Sequence, residues 1–320
     1  MNYGKISVIL FFSLFFIIGA SIYKDYGISV DEVGYRHQGT TILYTLSNYI
    51  YPEFSLEVAK GKNFSTIAQL QKTEIFSGVP FHMSAAMIEF LSNVKTKAEV
   101  FYLKHLYTFI IFFFGVLFFF FLLNLKFRNY KFALLGTAFL ILSPRIFANS
   151  FYNPNDIPFM SSIIILSFIY LKFFQKFKNK YLFFAGLASS ISICLRPMAI
   201  YMPFLFILFL FYSCLINKHS LNALIKKTVL FIFITLFFSY IFNPPLWINP
   251  LSIIIQQFQW AINSNVTDIL YLGSFYPNTK TPWHYLVIWI VVTTPPLYLV
   301  LFIFGFFKIL LNFFKKKLSL

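Results

Sequence analysis

Apolar residues run through this chain in long blocks, broken by short clusters of lysine, asparagine and proline. A bilayer core of about 30 Å is crossed by roughly 20 apolar residues in a helix, and shorter runs suffice where flanking side chains reach the interface. Eight blocks meet that requirement, at 6–23, 101–125, 132–148, 158–175, 182–195, 198–216, 228–242 and 284–310. They predict an all-α integral membrane protein with about eight transmembrane helices. The first block begins behind Lys5 and ends in Gly19-Ala20-Ser21, as a secretory signal does, but its length favours a retained helix.

The polar stretches between blocks are unequal. The first, 24–100, is too long for a bare connection and is expected to carry helices of its own. In "GVPFHMSAAMIEFLSNV", Met83, Met87, Phe90, Leu91 and Val94 share one helical face while Glu89, Ser92 and Asn93 fall elsewhere. That pattern predicts a helix lying in the membrane surface. "TTILYTLSNYIYPEF" is a second candidate helix, stopped at Pro52. Two further polar stretches, 149–157 and 243–283, lie on the same side of the membrane. Trp247, Trp283 and Tyr285 in the last suit an interface. With no internal repeat and no soluble segment, residues 1–320 read as a single membrane-embedded domain.

Charge fixes the expected orientation. With the N-terminus inside, the short inner connections hold Lys5, Lys126, Arg128, Lys131, Lys172, Lys176, Lys178, Lys180, Lys218, Lys226, Lys227, Lys308, Lys315, Lys316 and Lys317, and no acid. All ten acids then fall on the other side, which is the positive-inside pattern. Composition agrees: 59% of residues are hydrophobic, 11% are charged and 47 of the 320 are phenylalanine, so a water-soluble surface is excluded. The net charge of +16 follows from topology, since the bases flank apolar blocks instead of alternating with aromatics, and no nucleic-acid partner is expected. The two cysteines, Cys194 and Cys214, lie inside apolar blocks. Neither they nor the five scattered histidines form a metal-binding spacing, and His37, His82 and His284 read as interface residues.

Three polar groups gather on the acidic side. "DYGISVDEVGYRHQ" places Asp31 and Glu32 after the first block. "SPRIFANSFYNPNDIPF" brings Arg145 and Asp156, and "CLRPMAIYMP" brings Arg196. Ionisable groups near lipid are costly unless they pair or face water, so they are candidates for function. Each also has a structural reading. Asp31 and Glu32 suit a solvated helix end, Asp156 suits the N-cap of a helix with Pro158 in its first turn, Arg196 suits the headgroup region, and Arg145 suits an ion pair with Asp156. Carboxylates here can take a proton from a hydroxyl or amine, and arginines can hold a phosphate. Those properties fit a transferase acting on lipid-linked phosphates and equally a transporter of anionic lipids.

Taken together, the "DE" after the first block, "SPRIFANSFYNPNDIPF", "LRP" and "PWHY" resemble the GT-C superfamily of integral-membrane glycosyltransferases over about residues 5–305. The likeness is nearest to the protein O-mannosyltransferases and the aminoarabinose transferases. It implies a GT-C-like fold with a long first extracytoplasmic loop carrying surface helices. It implies inverting transfer of a sugar from a polyprenyl-phosphate carrier (dolichyl or undecaprenyl) to a lipid, glycan or protein acceptor. Carried onto this sequence, Asp31 is the expected base with Glu32 beside it, and Asp156 orients the acceptor or shares the base's work. Arg196 is the expected ligand of the donor phosphate, with Arg145, Lys60, Lys62 and Tyr285 as further donor contacts. No cofactor and no metal are implied. The related enzymes carry additional spans and a soluble module, so a partner protein supplying acceptor recognition is a further expectation. A lipid-linked sugar flippase and a non-catalytic subunit of an envelope glycosylation complex are the alternatives. The expected location is a bacterial cytoplasmic membrane, with the site facing outward.

Overall fold

A computed structural model of the chain describes residues 3–51, 77–92, 94–217, 220–262 and 268–318. Lys60 and Lys62 lie outside them. The elements are α1 (Tyr3–Ile22), α2 (Val30–Ile50), α3 (Val79–Leu91), α4 (Lys97–Phe127), α5 (Tyr130–Ile141), α6 (Pro144–Tyr152), α7 (Asp156–Lys176) and α8 (Asn179–Leu195). A 3₁₀ turn at Pro197–Ile200 leads into α9 (Tyr201–Asn217), then α10 (Leu221–Ile241), α11 (Pro245–Ile248) and α12 (Pro250–Ile262). The strands β1 (Asp268–Tyr271) and β2 (Ser274–Pro277) precede α13 (Tyr285–Thr293) and α14 (Pro296–Leu318).

Six of these helices are long and apolar enough to cross a membrane, and seven if the pair α5 and α6, bent by 67°, counts as one broken span. Large apolar side chains such as Leu215, 80% exposed, and Phe304, 71% exposed, cover their outward faces, as a hydrocarbon surround requires. The chain is a multi-pass helical membrane protein. Two of the eight expected blocks do not form straight helices of that length. α8 has 17 residues, about 26 Å of helix and short of a 30 Å core. The block at 132–148 turns at Ser143-Pro144, where proline has no amide hydrogen to continue the helix. The block at 284–310 is likewise divided, at Thr294-Pro295, between α13 and α14.

The chain separates into two compact units. The first comprises residues 1–142 and 146–262. Here α4 packs on α5 and α7, α7 on α8, and α8 on α10, while α1 lies against α4. Phenylalanine fills the seams: Phe109, Phe112, Phe151, Phe173, Phe206 and Phe231 are fully buried. At the α4–α7 crossing, Gly115 faces Ser161 so closely that a Cβ would collide with its side chain, the small-residue contact by which membrane helices approach.

The second unit holds 143–145 and 263–320. Its hairpin was not foreseen in an all-α reading. β1 and β2 pair antiparallel through Tyr271↔Ser274, and Leu272 and Gly273 both take positive φ at the turn, 49° and 84°. Four residues per strand are too few for an alternating pattern to stand out.

α3 exists where expected. Met83, Met87 and Phe90, half-buried, pack toward α2 beside Ile42, Leu43 and Tyr44, while Leu91 of the same stripe is 73% exposed. The adjacent edge, including His82 and Glu89, is buried. An amphipathic stripe shows that a helix has an apolar face but does not say whether lipid or another helix covers it. Here α2 covers it.

Candidate functional site

Asp31 and Glu32 occupy the first turn of α2, where the helix dipole favours carboxylates, yet their environments are opposite. Asp31 is exposed. Glu32 is 2% exposed. Its Oε2 accepts from the Ser29 amide at 2.6 Å, the carboxylate half of a capping box. Its Oε1 accepts from His105 Nε2 at 2.9 Å, and the other ring nitrogen of His105 lies 3.2 Å from the Tyr23 carbonyl. Glu32 thus closes the start of α2 and ties it to α4. The sequence signal for this was Ser29-x-x-Glu32.

The segment carrying Asp31 is fastened to the second polar stretch. Phe151 of α6 is sandwiched between Tyr26, 4.4 Å away and nearly parallel, and Phe109, 5.2 Å away. Ser29 Oγ donates to the Tyr152 carbonyl at 3.0 Å. Beyond the turn, the expected N-cap role of Asp156 passes to Asn153. Asn153 Oδ1 accepts from the amides of Asp156, at 2.8 Å, and Asn155, at 3.3 Å. Asp156 is the first residue of α7, and its carboxylate, 61% exposed, pairs with Arg196. This answers the expected pairing with Arg145: Asp156 takes its partner from the far end of α8. There the backbone breaks ahead of Pro197, and the Gly78 amide donates to the carbonyls of Cys194 and Leu195, which docks the start of α3 beside Arg196.

Tyr35, one turn after Asp31, sits at the meeting point. Asn155 Nδ2 donates to its hydroxyl at 2.8 Å, and its ring stacks on His82 with centroids 4.8 Å apart. Burial foremost, then the charges of Asp31 and Asp156, raise the Tyr35 hydroxyl above its ordinary range, while the Asn155 bond and the Arg196 charge oppose the rise. His82 is corrected from an interface residue to a core one, 3% exposed. Burial foremost, with help from Lys104, lowers its pKa to about 3. It fits because Gly39 of α2 has no Cβ to collide with the His82 carbonyl. Three buried polar atoms around Tyr35 make no hydrogen bond among the described residues: His82 Nε2, Asn155 Oδ1 and Arg196 Nε.

Behind this cluster lies a buried ion network that the sequence did not announce. Arg36 grips Glu89 through Nε at 3.1 Å and Nη2 at 2.5 Å, and Lys104 Nζ stands 3.9 Å from the other carboxylate oxygen. Glu89 therefore balances two cations, and it locks α2, α3 and α4 together. Among the described residues, no group of three or more His, Cys, Asp or Glu side chains is placed to hold a metal ion.

Arg145 and Tyr285 belong to the second unit. Arg145 lies with its guanidinium 5.3 Å from the Trp289 ring centroid, and Tyr285 meets Tyr271 at 5.1 Å and stacks on Trp289 at 5.8 Å. The structure therefore brings Asp31, Asp156 and Arg196 into one cluster, adds Tyr35, His82 and Asn155 to it, and turns Glu32 inward. No known protein family, curated protein or solved structure matches the chain.

Proposed function

We propose that the chain is an inverting glycosyltransferase that moves a sugar from a polyprenyl-phosphate carrier to an acceptor on the acidic side of the membrane. The observation that carries this reading is the convergence of Asp31, Asp156 and Arg196, from three separate segments, around Tyr35 and three buried polar atoms without partners. A buried unpartnered polar atom costs about 1–3 kcal/mol, a cost that a polar ligand removes. In the step envisaged, the exposed carboxylate of Asp31 takes the proton of an acceptor hydroxyl as its oxygen bonds to the anomeric carbon. The bond from that carbon to the phosphate oxygen breaks, and the carrier phosphate leaves with the electron pair. A phosphate held by cations leaves without a strong general acid. Arg196 supplies the charge: Asp156 engages its Nη2, and the side chain stays 29% exposed for the phosphate to approach. Asp156 aims the guanidinium, while Glu32 fixes the turn that carries Asp31.

The test uses the full chain in lipid nanodiscs, with a panel of polyprenyl-phosphate sugars and an envelope extract as acceptor. Free polyprenyl phosphate is followed by mass spectrometry. Release by wild type and loss of release with Asp31→Asn is the expected result and names the donor. Tight donor binding by both proteins with no release from any donor would replace the enzyme with a flippase. Unchanged release by Asp31→Asn would keep the enzyme and remove Asp31 as its base.

A further inference from the structure

α4 and α7 run parallel: Gly115 meets Ser161, Phe118 and Phe121 meet Phe168, and both helices end together. Between their last turns opens a cavity of about 660 Å³ whose polar lining includes Asn124, Arg128, Lys172, Gln175 and Lys176. Its apolar wall is Phe121, Leu125 and Phe168.

The charge of this cavity has no counterpart among the described residues. Among the described residues, none of the three cations joins an ion pair. The sequence has no carboxylate between Glu99 and Asp156 or between Asp156 and Asp268. Glu99 and Asp156 sit at the opposite ends of the two helices, and the sixteen residues from Asp156 to Lys172 span about 24 Å of helix, more than two Debye lengths. The two helix C-termini contribute roughly half a negative charge each, which leaves about two positive charges unbalanced. An anion from outside the chain is the natural complement.

The wall identifies its kind. A small inorganic anion makes no use of Phe121, Leu125 and Phe168, whereas the first methylenes of an acyl chain pack on them. The Lys172 ammonium stands 5.5 Å from the Phe168 ring centroid, so its aliphatic stem follows the apolar wall while its charge reaches the rim, as lysines do at the headgroup level. We propose that this cavity binds the phosphate headgroup of an anionic phospholipid, with the acyl chain laid along Phe121, Leu125 and Phe168. It stands on the face that the basic connections mark as cytoplasmic, where anionic lipids attract lysine and arginine. The inference is independent of the proposed transferase activity.

The experiment is native mass spectrometry of the full chain released from nanodiscs of equal phosphatidylglycerol and phosphatidylcholine content. One retained phosphatidylglycerol is expected on wild type. Lys172→Gln with Lys176→Gln should lower its preference over phosphatidylcholine by roughly thirtyfold, and Arg128→Gly by about fivefold. Arg128 has a φ of 52°, which glycine adopts freely, so this variant keeps the fold while losing the charge. Lys126 lines a different groove on the other side of the α4–α7 seam, with Leu122 and Tyr170, and Lys126→Gln should leave the preference unchanged. Equal retention of phosphatidylcholine by wild type would overturn the proposal. So would an equal loss with Lys126→Gln, which would mean diffuse attraction to the leaflet. Displacement of the lipid by inorganic phosphate at matched concentration would make the cavity a site for a soluble anion instead.

Discussion

The two ends of the helical bundle in the first unit handle charge in opposite ways. At the acidic end, Glu32, Asp156 and Glu89 each have a partner across elements: His105, Arg196, and the pair Arg36 and Lys104. At the basic end, Arg128, Lys172 and Lys176 gather around a cavity whose described lining holds no carboxylate. The same residue types therefore do different work. Paired ions behind Tyr35 hold α2, α3 and α4 in register and fix where the exposed Asp31 stands. Among the described residues, the unpaired ions at the other end leave a net positive field.

Substitutions sharpen that contrast. The largest effect is expected for Asp31→Asn, which should lower sugar transfer by about 10²–10⁴-fold, the usual contribution of a positioned base, with thermal unfolding unchanged. A drop in stability of the same variant would mean that Asp31 is structural. Glu89→Ala should follow, at roughly 3–5 kcal/mol of unfolding free energy, because it strands two buried cations at once. Chemical denaturation in a fixed detergent checks it, and a loss below ~1 kcal/mol would show the network to be dispensable. Glu32→Ala should destabilise by about 1–3 kcal/mol, since it removes the acceptor of both the Ser29 amide and His105. The adjacent pair Asp31 and Glu32 thus separates activity from stability in one turn of helix.

A pH titration probes the core of the acidic end. His82 titrates near 3 in the fold against an ordinary value of 6.5. Between those values the unfolded chain binds a proton that the folded chain refuses, so stability is complete above about 6.5 and falls as pH drops toward 3. At pH 5.5 the loss is about 1.4 kcal/mol from this group. Unfolding of wild type and His82→Leu across this range should differ in slope by that amount, and parallel curves would remove His82 as the cause. At the basic end the sign reverses. Arg128→Gly relieves a left-handed residue at the end of α4 and removes an unpaired charge, so a gain of roughly 1 kcal/mol in phosphatidylcholine is expected by thermal unfolding.

Much of this architecture was legible in the chain. The positions of α1, α4, α7, α9 and α10 follow from apolar blocks, because a span must satisfy its backbone internally and hide it behind some twenty greasy side chains. The breaks at Pro144 and Pro295 fall where a proline interrupts a block. Other features were encoded but overlooked. Ser29-x-x-Glu32 announces a capped helix start, and Asn153, three residues before Asp156, announces the cap of α7. The contact of α3 with α2 was not legible, because a stripe of Met83, Met87 and Phe90 is equally suited to lipid or to another helix.

What the sequence by itself determined is the membrane class, the approximate spans and the segregation of acids from bases. These depend on the local hydropathy of consecutive residues and on charges a few positions away, which no tertiary contact can alter. Only the tertiary structure decided that Glu32 is buried while Asp31 is exposed, that Asp156 pairs with Arg196, and that Tyr35 joins them to Asn155 and His82. Those relations join residues 40 to 120 positions apart, through the stack of Tyr26, Phe151 and Phe109 and the docking of Gly78 on α8. Such contacts depend on where helices cross, and the identity of a residue and its neighbours in sequence does not carry that information.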